Sequence, residues 1–137
     1  MADDIRATMA AATSGLRAQT MRMRIAAENV ANANSTSQTP GGDPYRRRMP
    51  MLEEKTLEDG VRGVRITGAA EDPTAFRLQY NPSHPGADAS GYVKLPNVDS
   101  LTEMMDLREA TRAYEANLNM IENARAMTTR ALDLLRR

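Results

Sequence analysis

The sequence has no cysteine and no tryptophan, and only one histidine and one phenylalanine in 137 residues. Without cysteine there is no disulfide, no thiolate metal site and no cysteine nucleophile. Aromatic residues make up 4% of the chain. Large rings supply much of the buried area of most cores, so this core has to be thin, built from Ala, Leu, Met, Val and Ile. An excess of charge of either sign is also lacking, with 18 basic against 18 acidic residues. Such a chain has no general electrostatic pull toward nucleic acid or a membrane surface, and little self-repulsion to oppose assembly. The opening MADDIRATMAAATSGL lacks the basic and apolar regions of a cleaved signal peptide. No apolar run is long enough to span a bilayer, so no direct membrane insertion is expected. The phosphate-binding, dinucleotide-binding, zinc-protease and nucleophile-elbow motifs are missing too.

What is present divides into three parts: residues 1–34, 35–98 and 99–137. In the first, Ile5, Met9, Ala12, Leu16, Gln19, Met23, Ala26, Val30 and Ala33 recur at alternating steps of four and three. That is a heptad seam of about four repeats, and it predicts one helix over residues 3–33, roughly 46 Å long. Asp3 and Asp4 sit in its first turn, where negative charge suits the helix dipole. Asn32, Asn34 and the Pro40-Gly41-Gly42 breaker end it.

The last part predicts a second long helix. Ser100-Leu101-Thr102-Glu103 has the form of a capping box, with Ser100 as N-cap and Glu103 reaching back. From Ala110 the heptad runs without a slip. Ala110, Asn117, Ala124 and Ala131 fill one position, small enough to let another backbone approach. Ala113, Met120, Met127 and Leu134 fill the position three later, and Tyr114, Ile121, Thr128 and Leu135 follow directly. Arg136 and Arg137 close the helix, where cations suit its dipole. Gln19 and Asn117 are polar residues inside apolar stripes. They are either tolerated at the seam edge or, as a hydrogen-bonded pair, set its register.

The middle part holds all seven prolines and seven of the eight glycines. Short runs at Tyr45–Leu52, Val61–Ile66, Phe76–Tyr80 and Tyr92–Leu95 predict strands, with Asp59-Gly60 as a turn between the first two. The expected fold is α+β: two terminal helices packed as an antiparallel, coiled-coil-like pair, with a small β-rich domain inserted between them.

Chemistry-bearing constellations are sparse. His84, between Ser83 and Pro85, has no companion with ligand spacing and no orienting partner in sequence, so it reads as a structural loop histidine. Arg46-Arg47-Arg48 is the densest basic cluster, but only Tyr45 adjoins it, and the middle part balances eight basic against eight acidic residues. It reads as a solvated strand or a salt-bridging surface, not a nucleic-acid site. No cofactor and no metal are expected, and the chain is not expected to be an enzyme. The assembly interface is expected on Ile5, Met9, Leu16, Gln19, Met23 and Val30 of the first helix. On the second it is expected on Ala113, Tyr114, Asn117, Met120, Ile121, Ala124, Met127, Ala131, Leu134 and Leu135.

The run Ser14–Gln19, then Met23 and Ala27–Asn34, resembles the N-terminal signature of flagellar rod, hook and related axial proteins, and Arg112–Asn117 resembles their C-terminal motif. In the middle, Glu71-Asp72-Pro73, Tyr80–Asp88, Gly91-Tyr92-Val93 and Pro96-Asn97-Val98 are similar to the FlgC-type proximal-rod members of that family. The resemblance spans essentially the whole chain. It implies a non-enzymatic rod subunit that leaves the cytosol unfolded through the flagellar type III export apparatus, without a cleaved signal. It further implies polymerisation in the periplasm, with other rod proteins and copies of itself as partners and the paired helices around the export channel. The alternatives from other classes are a cytosolic coiled-coil adaptor and a small hydrolase acting through His84 and a carboxylate.

Overall fold

A computed structural model describes residues 1–136. Helix α1 spans Ala2–Ala31, strand β1 Arg48–Thr56, strand β2 Arg62–Glu71, strand β3 Arg77–Tyr80, strand β4 Tyr92–Leu95 and helix α2 Ser100–Leu135, with a 3-10 turn at Glu58–Gly60 joining β1 to β2. The fold is α+β, as the patterning predicts.

α1 ends two residues short of the predicted Ala33. The Asn32 amide donates from Nδ2 to the Glu28 carbonyl at 2.9 Å while its backbone N–H donates to the same oxygen at 3.0 Å. An Asn side chain competing for the carbonyls of the last turn is a standard way to stop a helix. α2 begins at Ser100, but Ser100 is not its cap. Asp99 is, accepting from Leu101 N at 3.1 Å and from the Thr102 hydroxyl at 2.9 Å. The predicted capping box is therefore absent: Glu103 turns away from the cap into the interior, where it is 2% exposed. Arg137, expected as part of the helix end, lies outside the described residues.

The two helices run antiparallel. Gly15 lies against Asn117, Met23 meets Thr111, and Asn29 meets Glu103, so position along one helix falls as position along the other rises. The seam is small-sided. Ala12, Ile25 and Ala26 of α1 and Ala110, Ile121 and Ala124 of α2 are buried. An alanine contributes little apolar area, about 0.8 kcal/mol per buried methylene-sized group, so this interface is close but thin.

The middle part is not one sheet. β1 and β2 form one antiparallel ribbon and β3 and β4 another. The first extends beyond the predicted runs, through Glu53-Glu54-Lys55 to Thr56 and on to Glu71. Cross-strand ion pairs offset the cost of charge in a strand: Glu53 with Arg65 at 3.3 Å and Glu54 with Arg62 at 3.2 Å. It starts three residues later than predicted, because Tyr45 is drawn to Asn29 instead of a ladder. Between Met51 and Leu52 the register shifts by one, a bulge that bends the ribbon. In the second ribbon Leu78 and Tyr80 face outward, while Val93 is buried beneath.

Candidate assembly interface

Ser14 and Gly15 sit back to back on α1 and serve two different contacts. The Ser14 hydroxyl accepts from Val64 N at 3.3 Å and lies under Gly63, which seats the β1–β2 ribbon on the helix. A Cβ at Gly63 would meet the Ser14 Oγ at 2.7 Å. Gly15 faces the other way and receives the Asn117 side chain. Small residues here allow two elements to reach α1 at one level. Gln19 is not the partner of Asn117. Its Oε1 accepts from Arg22 Nη1 at 3.1 Å, one turn along the same helix, so of the two readings the Gln19–Asn117 register pair does not form.

At the far end of the helix pair a polar cluster holds α1, the β1 entry and the start of α2 together. The Asn29 amide donates to the Arg48 carbonyl at 2.8 Å and to Glu103 Oε2 at 3.1 Å. Asn29 Oδ1 accepts from the Tyr45 hydroxyl at 2.8 Å and from Arg48 N at 3.0 Å. Arg47 Nε donates to Glu103 Oε1, and the same guanidinium reaches Asp72 Oδ2 at 3.3 Å and Asp106 Oδ2 at 3.6 Å. Asn97 closes the far side, accepting from Arg47 N at 2.7 Å and donating to the Asp72 carbonyl at 3.1 Å. Every buried side-chain polar atom among the described residues has a partner, which is the condition under which a buried network rigidifies a fold.

The electrostatics follow from this geometry. Burial alone would pull the Arg47 guanidinium down, but the hydrogen bond and charge of Glu103, then those of Asp72, outweigh it and hold it above its ordinary value. Asp72 is held below the usual carboxylate value, first by the Thr74 backbone N–H, then by the Thr74 hydroxyl and by Arg47, against an opposing burial effect. Burial pushes the Tyr45 phenol up, with Arg48 opposing and Glu28 and Glu103 adding to the rise.

The arginine run is thus not a solvated strand. Arg47 is an interior clamp, Arg46 stacks its guanidinium 4.1 Å from the Phe76 ring centroid, and Arg48 pairs with Glu28 at 3.5 Å. The run alternates in sequence like a surface strand, but Arg47 is the one aimed at three buried or half-buried carboxylates. Of these residues, Ser14, Gly15, Gln19 and Asn29 lie inside the N-terminal runs that carry the family resemblance. Asp72 and Asn97 lie in the middle motifs that carry it, Glu103 reads locally as part of a capping box, and Arg47 has no local pattern to set it apart from its two neighbours.

The predicted seam residues separate into three groups. Ile121 and Ala124 are buried. Ile5, Met9, Leu16, Gln19, Met23, Val30, Ala113, Tyr114 and Asn117 are half-buried. Met120, Met127, Ala131, Leu134 and Leu135 are exposed in the single chain, Leu134 at 75% and Leu135 at 84%. α2 therefore carries a small-residue row turned to α1 and, beside it, a row of large apolar side chains that this chain leaves uncovered.

His84 is fully engaged in its loop. Nδ1 accepts from Gly86 N at 2.8 Å, which places the neutral ring's proton on Nε2, 3.1 Å from the Thr36 hydroxyl. It ties the 81–88 loop to the 35–42 loop. Among the described residues, no group of three His, Cys, Asp or Glu is placed to hold a metal ion, and no described helix is long and apolar enough to cross a membrane.

Comparison with known proteins agrees with this arrangement. Residues 89–134 match the family described as flagellar basal body rod FlgEFG protein C-terminal. Over nearly its whole length the chain is similar to curated flagellar basal-body rod proteins FlgC. It is 44% identical to the one from Agrobacterium fabrum, covering 98% of this chain and 97% of the relative. It is 37% identical to the one from Borreliella burgdorferi, covering 90% and 93%, and 37% identical to the one from Salmonella typhimurium, covering 90% and 92%. The two long helices around a small β region belong to the same picture: the chain is a member of the FlgC family of flagellar basal-body rod proteins and a structural subunit of that rod.

Proposed function

We propose that the chain polymerises through its terminal helices, residues 1–34 and 99–137, to build part of the rod's drive shaft around its export channel, while residues 35–98 pack on the outside. Its neighbours are other rod proteins and further copies of itself. It reaches the periplasm through the flagellar type III export apparatus, without a cleaved signal. The observation that carries this reading is the exposed row of Met120, Met127 and Leu134 beside the small-residue row that faces α1. Large apolar side chains at heptad spacing on a solvent-facing helix are a packing surface in need of a partner.

The test is electron microscopy of isolated basal bodies with the chain labelled, together with assay of the intact chain beyond the inner membrane in strains with and without a working export apparatus. Label in the rod near the inner-membrane ring, and export lost with the apparatus, are expected. A chain found only in the cytosol would favour a coiled-coil adaptor instead.

A further inference from the structure

α2 outruns its partner. Near the start of α1, an apolar groove of about 310 Å³ opens between the helices, walled by Ile5, Thr8, Met120, Ala124 and Met127, with Asp4 at its rim. Beyond the groove α2 continues to Leu135, and Leu132, Leu134 and Leu135 on this overhang are exposed. Leu134 belongs to the same heptad row as Met120 and Met127, so groove wall and overhang are one apolar stripe, first with a helix beside it and then without. Asp3 in the first turn of α1 and Arg136 at the end of the overhang are opposite in charge, while Asp4 is paired with the N-terminal ammonium at 3.3 Å and Asp133 also lies on the overhang.

We infer that the α2 overhang of one copy seats in the groove of a neighbouring copy lying parallel and displaced along the helix axis. This rests on the proposed polymerisation through the terminal helices and names the contact that performs it. One to two heptads of displacement, roughly 10–20 Å, brings Leu134 and Leu135 over Met120 and Met127. Arg136 then approaches Asp3. A copy cannot fill its own groove, because α2 is continuous and its overhang points away. Donor and acceptor surfaces differ, so the contact is heterologous and repeats without closing on itself, the arrangement a helical array requires.

The chain has no cysteine, so the introduced thiols are its only ones, and links between copies of the chain report the designed contact. In one copy Thr8 and Ala124 wall the same groove, and Ala124 stands ten positions before Leu134. That is about 15 Å along the helix, beyond the ~7 Å a disulfide tolerates between Cα atoms. The full chain carrying Thr8→Cys and Leu134→Cys is expected to give a ladder of disulfide-linked multimers in isolated basal bodies. Neither single variant should. Ile5→Cys with Leu135→Cys serves as a second pair should the first impair assembly. Linkage by Leu134→Cys alone means that overhangs meet each other and overturns the inference. So does absence of a ladder from both pairs while the chain is present in the basal bodies, and in that case the rod reading stands. Absence of the unaltered chain from basal bodies would instead remove the rod reading itself.

Discussion

Gly15 on α1 and Asn117 on α2 occupy one space: a Cβ built on Gly15 would stand 2.8 Å from Asn117 Nδ2 and 3.0 Å from its Cγ. Two effects oppose each other when Gly15 becomes alanine. Helix propensity favours alanine by about 1 kcal/mol. Overpacking costs typically about 1–3 kcal/mol, and all three nearest atoms belong to the half-buried Asn117 amide. The clash is expected to win, so Gly15→Ala should lower stability by about 1 kcal/mol in urea unfolding. Asn117→Ala alone should stay within about 0.5 kcal/mol, since Asn117 has no side-chain hydrogen bond among the described residues and alanine is the better helix former. The double variant should be at least as stable as the parent. Additive effects in the double-mutant cycle would show that the two residues do not share this space. Gln19→Leu should not couple to Asn117→Ala in the same experiment.

Acid should act through Asp72. Its carboxyl is held below its ordinary 3.8 in the folded chain. A depressed folded value means the stabilisation is complete above the unfolded value and is lost as pH falls through the folded one. Thermal unfolding of the parent and of Asp72→Asn, followed from about pH 7 down to about pH 2.5, is the measurement. The parent should lose its advantage over the variant only below about pH 4, the ordinary carboxylate range. A gap between the two that stays constant across the whole range would mean that Asp72's charge is not what the network uses.

Buried and exposed positions of the same heptad row should respond differently to one substitution. Ala124 is buried and Ala131 is not, one heptad further on. Ala124→Glu forces an unpaired charge between the helices and should cost at least about 3 kcal/mol. Ala131→Glu should leave the isolated chain within about 0.5 kcal/mol of the parent, as surface substitutions do, yet abolish swimming. Normal motility in the Ala131 variant would remove the α2 overhang from assembly.

His84→Ala should cost about 1 kcal/mol through the lost bonds to Gly86 N and Thr36 and should leave motility intact. Loss of motility with unchanged folding, measured by circular dichroism and secretion, would assign His84 a role beyond holding two loops.

Much of this architecture is legible in the sequence, and the reason is periodicity. A heptad stripe survives any register between two helices, so α1, α2 and their mutual packing follow from spacing alone. Proline, glycine and short alternating runs likewise place the irregular middle and its strands. The run Ser14–Gln19 and the Tyr80–Asp88 stretch carry the family without any knowledge of contacts.

Tertiary structure decided what spacing cannot encode. Whether a seam position faces the partner helix or solvent depends on where the partner begins, so Ala124 and Ala131 look alike in sequence and differ in burial. Glu103 matches a capping box by position, but a carboxylate that can reach a buried guanidinium and the Asn29 amide gains more there than at a solvent-exposed cap that Asp99 already satisfies. Arg47 looks like its two neighbours until residues 25 and 56 positions away supply Asp72 and Glu103. The helices and the family are written in local pattern, while the clamp that fixes the helix ends to the β region exists only through contacts between residues far apart in the chain.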